Sequence, residues 1–223
     1  MASRCVSPIK ARVMRIVRLD SCGNPVSGAG SVVTSSGFIQ VQVEPEYEEG
    51  TEYIVRNAND ELCVNEKSPN TLKRVNLSMD FCQVDPDAIV LMTGERLLQA
   101  TGGAPVTGTG VAFGEGQLTN RFSIEVWQPV AGSGGCAGGA EQFVYWAFPN
   151  VGNTQIDSFT LENAALTFTV KGDTKAASAA WGDGPGTGPS WIPGTTMATD
   201  EHFAFNVIAL APPTPVCGAT SLT

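Results

Sequence analysis

Residues 72–82, LKRVNLSMDFC, decide the fold class of this chain. From position 74 to position 81, polar or charged residues alternate with apolar ones. Because successive side chains of a β-strand point to opposite faces, this alternation predicts a strand with one face in a core and the other in water. The apolar set is Val75, Leu77, Met79 and Phe81, and the polar set is Arg74, Asn76, Ser78 and Asp80.

The same two-residue period recurs along the chain between turn-forming residues. In residues 39–44, Ile39, Val41 and Val43 alternate with Gln40, Gln42 and Glu44. Further strands are predicted at Ile9–Leu19, Val32–Thr34, Gly37–Val43, Thr51–Arg56, Arg121–Gln128, Glu141–Phe148, within Thr160–Lys171 and at Glu201–Leu210. We expect 121–128 and 141–148 to form a hairpin around a glycine-rich tip, and Glu44–Gly50 to form an acidic loop.

One short helix is predicted after residue 85. Asp85 is a preferred N-cap residue, Pro86 suits the first helical position, and Asp87 favours the positive end of a helix dipole. Ala88–Thr93 continues the helix, and Gly94 is a typical residue just beyond a helix C-terminus. For Glu95–Gln99 the pattern leaves both a resumed helix and a strand open.

Length and composition favour one mainly β domain. A chain of 223 residues with 25 Gly and 14 Pro has many turns, and its 42% hydrophobic residues exclude a disordered chain. No internal repeat divides it. We therefore predict one domain over 1–211 with an N-terminal arm, followed by a proline-led extended segment over 212–223.

The charge distribution argues against a protein that binds nucleic acid. The net charge is −9, whereas binding to phosphates needs clustered cations. Between Glu44 and Glu66 there are eight acidic residues and one basic residue, Arg56. The basic residues Arg4 to Arg18 all precede the first acid, Asp20, and are either the solvated face of a strand or an arm that docks on an acidic neighbour.

No residue pattern predicts an enzyme, a cofactor or a metal site. The one histidine, His202, is predicted to lie on the surface of a strand, and the six cysteines lack the close pairs of a zinc site. The four tryptophans could line a sugar-binding face but are more typical of core or interface anchors. Met1–Pro8 has no apolar core of a signal peptide, and Ala88–Met92 is far too short to span a bilayer.

A series of motifs resembles the major tail proteins of long-tailed phages that infect actinobacteria, and their order across nearly the whole chain carries the resemblance. They are Arg18-Leu19-Asp20-x-Cys22-Gly23-x-Pro25-Val26, Asp85-Pro86-Asp87 running to Leu91-x-Thr93-Gly94, Glu125-x-Trp127, Trp146-x-Phe148-Pro149, Trp181-Gly182-Asp183-Gly184-Pro185, and Ala211-Pro212-Pro213 followed by Cys217-Gly218-Ala219.

The resemblance implies a β-sandwich or partial barrel with one flanking short α-helix and extended terminal arms. It further implies a structural protein of the virion tail, assembled in the host cytoplasm. Six subunits form a ring whose inner sheets join around a channel, and the rings stack into a tube. The implied partners are further copies of the chain and the tape-measure, tail terminator and distal tail proteins. Double-stranded DNA passes through the tube without sticking, and no membrane insertion is expected.

On this interpretation the polar strand faces line the channel, because a DNA conduit should carry small polar and acidic groups. The predicted channel residues are Gln40, Gln42, Glu44, Asn76, Ser78, Asp80 and, with Ser123 on the same strand, Glu125. The predicted contacts between subunits are Arg4, Lys10, Glu46, Glu48, Glu49, Pro212 and Pro213. Two alternatives stay open: a secreted or surface β-sandwich that binds carbohydrate, and another virion part such as a capsid decoration or head–tail connector protein.

Overall fold

The computed structural model describes residues 5–99, 109–116, 119–134, 140–157, 159, 163, 166–177 and 197–222. Its elements are β1 (Val13–Leu19), β2 (Gly28–Ser35), β3 (Phe38–Glu48), β4 (Glu52–Arg56), β5 (Leu62–Lys67), β6 (Thr71–Phe81), α1 (Pro86–Thr93), β7 (Arg96–Gln99), β8 (Thr109–Ala112), β9 (Arg121–Pro129), β10 (Phe143–Ile156), β11 (Phe168–Thr174), β12 (Ala204–Ile208) and β13 (Val216–Leu222). The predicted mainly β character is thus confirmed. Arg4, the motif from Trp181 to Pro185 and two of the four tryptophans, Trp181 and Trp191, lie outside the described residues.

Nine of the strands form one antiparallel sheet. Its order is β13-β2-β1-β9-β10-β11-β6-β3, and β12 also pairs with β10. The long strand β10 pairs with β12 through its first half, Phe143–Ala147, and with β11 through its second half, Val151–Ile156. The predicted hairpin of β9 and β10 is confirmed, with Tyr145 opposite Trp127. Two further ladders, β4-β5 and β7-β8, lie outside this sheet.

The sheet is strongly curved. Three strands separate β3 from β9, so in a flat sheet the two would lie about 19 Å apart. Yet Val41 and Val43 of β3 line the same cavity of about 510 Å³ as Val126 of β9. The concave side holds the main core, built from alternate residues of the strands. Its least exposed members include Met14, Ile16, Leu77, Met79, Phe122, Ile124 and Val170.

Helix α1 has the caps that the sequence predicts. The Asp85 carboxylate accepts hydrogen bonds from the backbone N–H groups of Asp87 (3.0 Å) and Ala88 (3.4 Å). Gly94 ends the helix with φ 80°, a conformation that favours glycine, and its N–H donates to the Val90 carbonyl at 2.8 Å. The helix packs against β1, β8, β10 and β13. No helix in the described part of the chain has the length and hydrophobicity needed to cross a bilayer.

A β-ribbon replaces the acidic loop predicted at Glu44–Gly50. Strand β3 runs on to Glu48, where it pairs with Thr71 of β6, and β4 and β5 continue as a separate hairpin. The loop prediction is wrong for Glu44–Glu48 because β6 begins early enough to pair with this acidic stretch. The segment Glu95–Gln99, left open by the sequence, contains strand β7.

The proline-led segment after residue 211 contains strand β13. It pairs with β2 through Val216 opposite Thr34, Thr220 opposite Val32 and Leu222 opposite Gly28. Strand β13 therefore lies at the edge of the sheet, which agrees with its proline-rich approach, because proline cannot donate to a ladder.

Candidate functional site

The two polar rows that the sequence predicts lie side by side on one face of the sheet. The register of β3 and β6 places Gln40 opposite Asp80, Gln42 opposite Ser78 and Glu44 opposite Asn76. Hydrogen bonds fix these side chains: Gln40 Nε2 donates to Asp80 Oδ2 at 2.6 Å, and Gln42 Nε2 donates to Glu44 Oε1 at 2.6 Å. The core residues Leu77 and Met79 point to the other side, so this polar face meets water.

Strand β11 adds a third polar row that sequence reasoning missed. Its Thr169, Lys171 and Asp173 lie opposite Asp80, Ser78 and Asn76. Thr169 Oγ1 donates to Asp80 Oδ1 at 2.6 Å. The signal was present, because these residues alternate with the apolar Phe168 and Val170. One end of the face, with Glu44, Asn76, Ser78, Lys171 and Asp173, forms an open groove of about 380 Å³ together with Asn153 and Gln155 of β10.

The basic side chains of this polar face are paired with carboxylates. Lys171 Nζ lies 2.5 Å from Asp157 Oδ2. Arg74 Nε lies 2.6 Å from Glu46 Oε2, and its Nη1 lies 3.9 Å from Asp173 Oδ2. Hydrogen bonds from Arg74, and then from Lys73, lower the pKa of Glu46 to about 2, so this carboxylate stays ionised at neutral pH. The face therefore offers few unpaired cations to a phosphate.

Glu125 does not belong to the polar face, and its predicted channel role is wrong. Its exposed fraction is 0%, as is that of Ser123, because a second apolar layer covers this part of the sheet. That layer contains Trp127, Phe143, Tyr145, Ala147, Ala177, Met197 and Ile208. The sequence pattern does indicate burial here, because Trp127 lies on the same strand face as Ser123 and Glu125.

Glu125 is instead the centre of a buried polar cluster with Arg15 and Tyr145. The Arg15 guanidinium donates to both carboxylate oxygens, at 2.8 Å from Nη2 to Oε1, and the Tyr145 hydroxyl donates to Oε1. Burial alone would lower the pKa of Arg15, but the Glu125 carboxylate leaves that pKa raised. Burial, and next the charge of Glu125, raise the pKa of Tyr145 well above its usual value.

His202 is buried rather than on the surface, so that prediction is also wrong. Its exposed fraction is 8%, and its Nδ1 lies 2.9 Å from Thr174 Oγ1. The same Thr174 oxygen accepts a hydrogen bond from the Val75 N–H at 3.0 Å. Burial lowers the pKa of His202. The histidine therefore ties residues beside β12 to β11 and β6.

The residues predicted to join subunits are not all free to do so. Lys10, Glu48 and Glu49 are exposed, but no contact joins Lys10 to either acid within the described residues. Glu46 is engaged by Arg74 and Lys73 of its own chain. Pro212 and Pro213 are half-buried in the link between β12 and β13.

The hairpin of β4 and β5 is exposed on both faces. All residues of both strands are solvent-accessible, and Tyr53, Val55 and Val64 on one face are 56%, 53% and 41% exposed. Isolated two-stranded hairpins are marginally stable in water. An exposed apolar hairpin that projects beyond the main sheet is typical of an element that contacts another protein.

The two tryptophans within the described residues do not form an exposed sugar platform. Trp127 is buried, with its ring centroid 5.0 Å from that of Tyr145. Trp146 is half-buried, and its indole N–H donates to Gln128 Oε1 at 2.8 Å. Its ring lies against Phe205, at a centroid distance of 4.9 Å. Burial removes Trp127 from any sugar-binding face, and Phe205 packs against the ring of Trp146.

Comparison of the chain with protein-family models and with curated protein sequences gave no match.

Proposed function

We propose that this chain is a structural protein of a phage tail tube, in which rings of six copies stack and the polar face of β3, β6 and β11 lines the channel. The observation that carries the proposal is the register of that face. Three rows of mostly small polar and acidic side chains, from strands distant in sequence, lie side by side on the water-facing side of the sheet. The resemblance of the sequence motifs to major tail proteins supports the same function.

The electrostatics of the face suit a conduit through which DNA slides. Binding to phosphates requires cations that displace counterions, and here Arg74 and Lys171 are already paired with carboxylates. Surplus carboxylates such as Glu44 and Asp80 repel phosphates over a screening length of about 8 Å. The face therefore keeps DNA at a distance without holding it.

Assembly would use the exposed strand edges and the β4-β5 hairpin. Within the described part of the chain, β3 pairs on one side only, with β6, and so leaves an edge of 11 residues. An exposed edge of this length is an aggregation hazard unless another chain covers it. A ring in which neighbouring sheets join removes such edges, as closure does in any barrel.

The proposed setting is a virion tail that is assembled in the host cytoplasm. There the chain would contact copies of itself and the tape-measure, tail terminator and distal tail proteins. It has no catalytic role and needs no cofactor in this proposal.

Negative-stain electron microscopy of the concentrated protein tests the proposal. We expect rings or hollow tubes of uniform width. Knob-shaped trimers would favour a capsid decoration protein. A strictly monomeric mass by light scattering at every salt concentration, without tubes in virions, would contradict self-assembly.

A further inference from the structure

Strand β13 pairs with a strand that is distant from it in sequence and lies far along the sheet from the strand that precedes it. Its Leu222 N–H donates to Ser31 Oγ at 3.0 Å, and these residues are 191 positions apart in sequence. Strand β12, which precedes it, lies on the far side of β10, so β10, β9, β1 and β2 separate the two. Spacings of about 4.8 Å put β12 and β13 about 24 Å apart along the sheet.

The link between these strands is the short, proline-rich segment 209–215. It contains Pro212, Pro213 and Pro215, and its backbone makes no hydrogen bond to the described residues. The step from Ile208 to Val216 spans at most about 26–29 Å when fully extended. Prolines keep such a link extended and prevent it from pairing as a strand of its own.

The surface that receives β13 makes specific contacts along that strand. We call it the β13 seat, and it consists of the edge of β2, the carboxylates of Asp85 and Asp87, and the pocket formed by Val17 and Val32. Asp85 Oδ2 accepts a hydrogen bond from the Gly218 N–H at 3.0 Å, and Asp87 Oδ2 accepts one from the Ala219 N–H at 3.1 Å. At the other end of the strand, the Leu222 side chain is buried against Val17 and Val32.

The seat selects a particular strand. Gly218 has φ +83°, a conformation that side chains disfavour, and an added Cβ would lie 3.1 Å from Asp87 Oδ2. Leu222 is the one buried residue among the described residues of β13. The seat thus recognises a glycine next to two carboxylates and an aliphatic side chain four positions later.

We infer that the β13 seat is an exchangeable strand receptor, in which β13 of one copy pairs with β2 of a second copy during assembly. A second copy is the occupant that fits, because it carries the same glycine and leucine at the same spacing. Exchange loses no contact, since the seat is identical in each copy, and a short, proline-rich hinge favours this kind of swap. This inference rests on the proposed self-association.

A peptide experiment tests the seat without requiring tubes. The probe is a fluorescent peptide of residues 209–223, added to dilute full-length protein under reducing conditions, with binding followed by anisotropy. The receptor is full-length Leu222→Asp, whose own strand places a carboxylate in the apolar pocket. The matched control is Ser221→Asp, which changes the exposed neighbour.

We expect the Leu222→Asp protein to bind the peptide at least tenfold more tightly than the Ser221→Asp protein. In the control, the chain's own strand still competes at a high effective concentration. A peptide with Gly218→Val should lose at least tenfold in affinity. Equal binding by the two proteins, or undiminished binding of the Gly218→Val peptide, would overturn the inference.

Disulfide trapping in the full chain covers the case in which Leu222→Asp fails to fold. Thr34→Cys and Val216→Cys, which are opposite each other, are introduced after the native cysteines are replaced by serine. In the sedimenting fraction we expect covalent bonds between chains, and bonds only within chains there would overturn the exchange. If nothing sediments, self-association is what fails, and the peptide affinities alone decide whether the seat is a receptor.

Discussion

At the scale of single residues, the buried pair of Arg15 and Glu125 gives the sharpest stability prediction. Glu125→Gln keeps the side-chain volume but leaves the Arg15 guanidinium buried without a counter-charge. We expect the free energy of unfolding to fall by about 3–5 kcal/mol, measured by urea denaturation. The control is Glu141→Gln, whose ion pair with Arg12 is exposed and should contribute at most about 1 kcal/mol. Equal effects of the two substitutions would show that the buried pair is dispensable.

Protonation of His202 should make the free energy of unfolding depend on pH in the mildly acidic range. Because burial lowers its pKa in the folded state, the unfolded chain binds a proton first as the pH falls. Stability is therefore full above the unfolded pKa of about 6.5 and declines as the pH drops from there toward the folded pKa. His202 is the one histidine of the sequence. The carboxylate of Glu46, with a pKa of about 2, makes stability depend on pH only in more acidic solution.

The variant His202→Asn isolates this effect. An Asn side chain can still accept a hydrogen bond from the Thr174 hydroxyl but does not titrate. Between about pH 7.5 and pH 5.5, we expect the melting temperature of the variant to vary less with pH than that of the wild type. Parallel pH profiles for the two proteins would assign the acid sensitivity to other groups.

At the scale of elements, the β4-β5 hairpin should matter for assembly and little for folding. Tyr53→Ser with Val64→Ser removes exposed apolar surface, so the free energy of unfolding should change by less than about 1 kcal/mol. We expect the concentration required for tube formation to rise at least tenfold, as measured by sedimentation. Asn65→Ser, on the opposite face of the hairpin, is the control. Unchanged assembly of the double variant would exclude the hairpin from the interface.

Elements whose signals are local could be predicted from the sequence, and elements defined by distant partners could not. The caps of α1 depend on Asp85 and Gly94, which directly flank the helix in sequence, and the alternation in β6 is complete within residues 74–81. Strand β13 has no comparable pattern, because its contacts come from β2, Asp85 and Asp87. The error at Glu125 has the same origin: a second layer buries a strand face that carries a serine and a glutamate.

At the scale of the whole molecule, the polar face was predictable row by row but not as a surface. The rows in β3 and β6 each follow from alternation, whereas their register, and the third row from β11, require the fold. The pairing of the cations with carboxylates could not be predicted from the sequence either. Arg74 adds a cation to the polar row of β6, and Glu46 and Asp173 lie close enough to neutralise it.

Cations added to the polar face should slow the passage of DNA if that face lines the tube. Glu44→Lys and Asn76→Lys alter two exposed residues that lie opposite each other on β3 and β6, and they break no ion pair. In every ring of the tube the new ammonium groups would attract phosphates and displace their counterions. We therefore expect virions with tails of normal length that adsorb normally but eject DNA at least several-fold more slowly, with the delay shrinking as salt increases.

The control for this channel variant is Glu115→Lys with Thr199→Lys, which makes the same change in charge at exposed positions outside the polar face. It should eject DNA at the wild-type rate, because cations elsewhere on the subunit do not face the DNA. A bulky maleimide provides an independent check on intact tails, once the native cysteines are replaced: Asn76→Cys should be protected, whereas Glu115→Cys should react. Two results together would place the polar face on the outer wall: DNA ejection at the wild-type rate by the channel variant, and ready labelling of Asn76→Cys. The labelling would show that a reagent too large to enter the tube can reach this face.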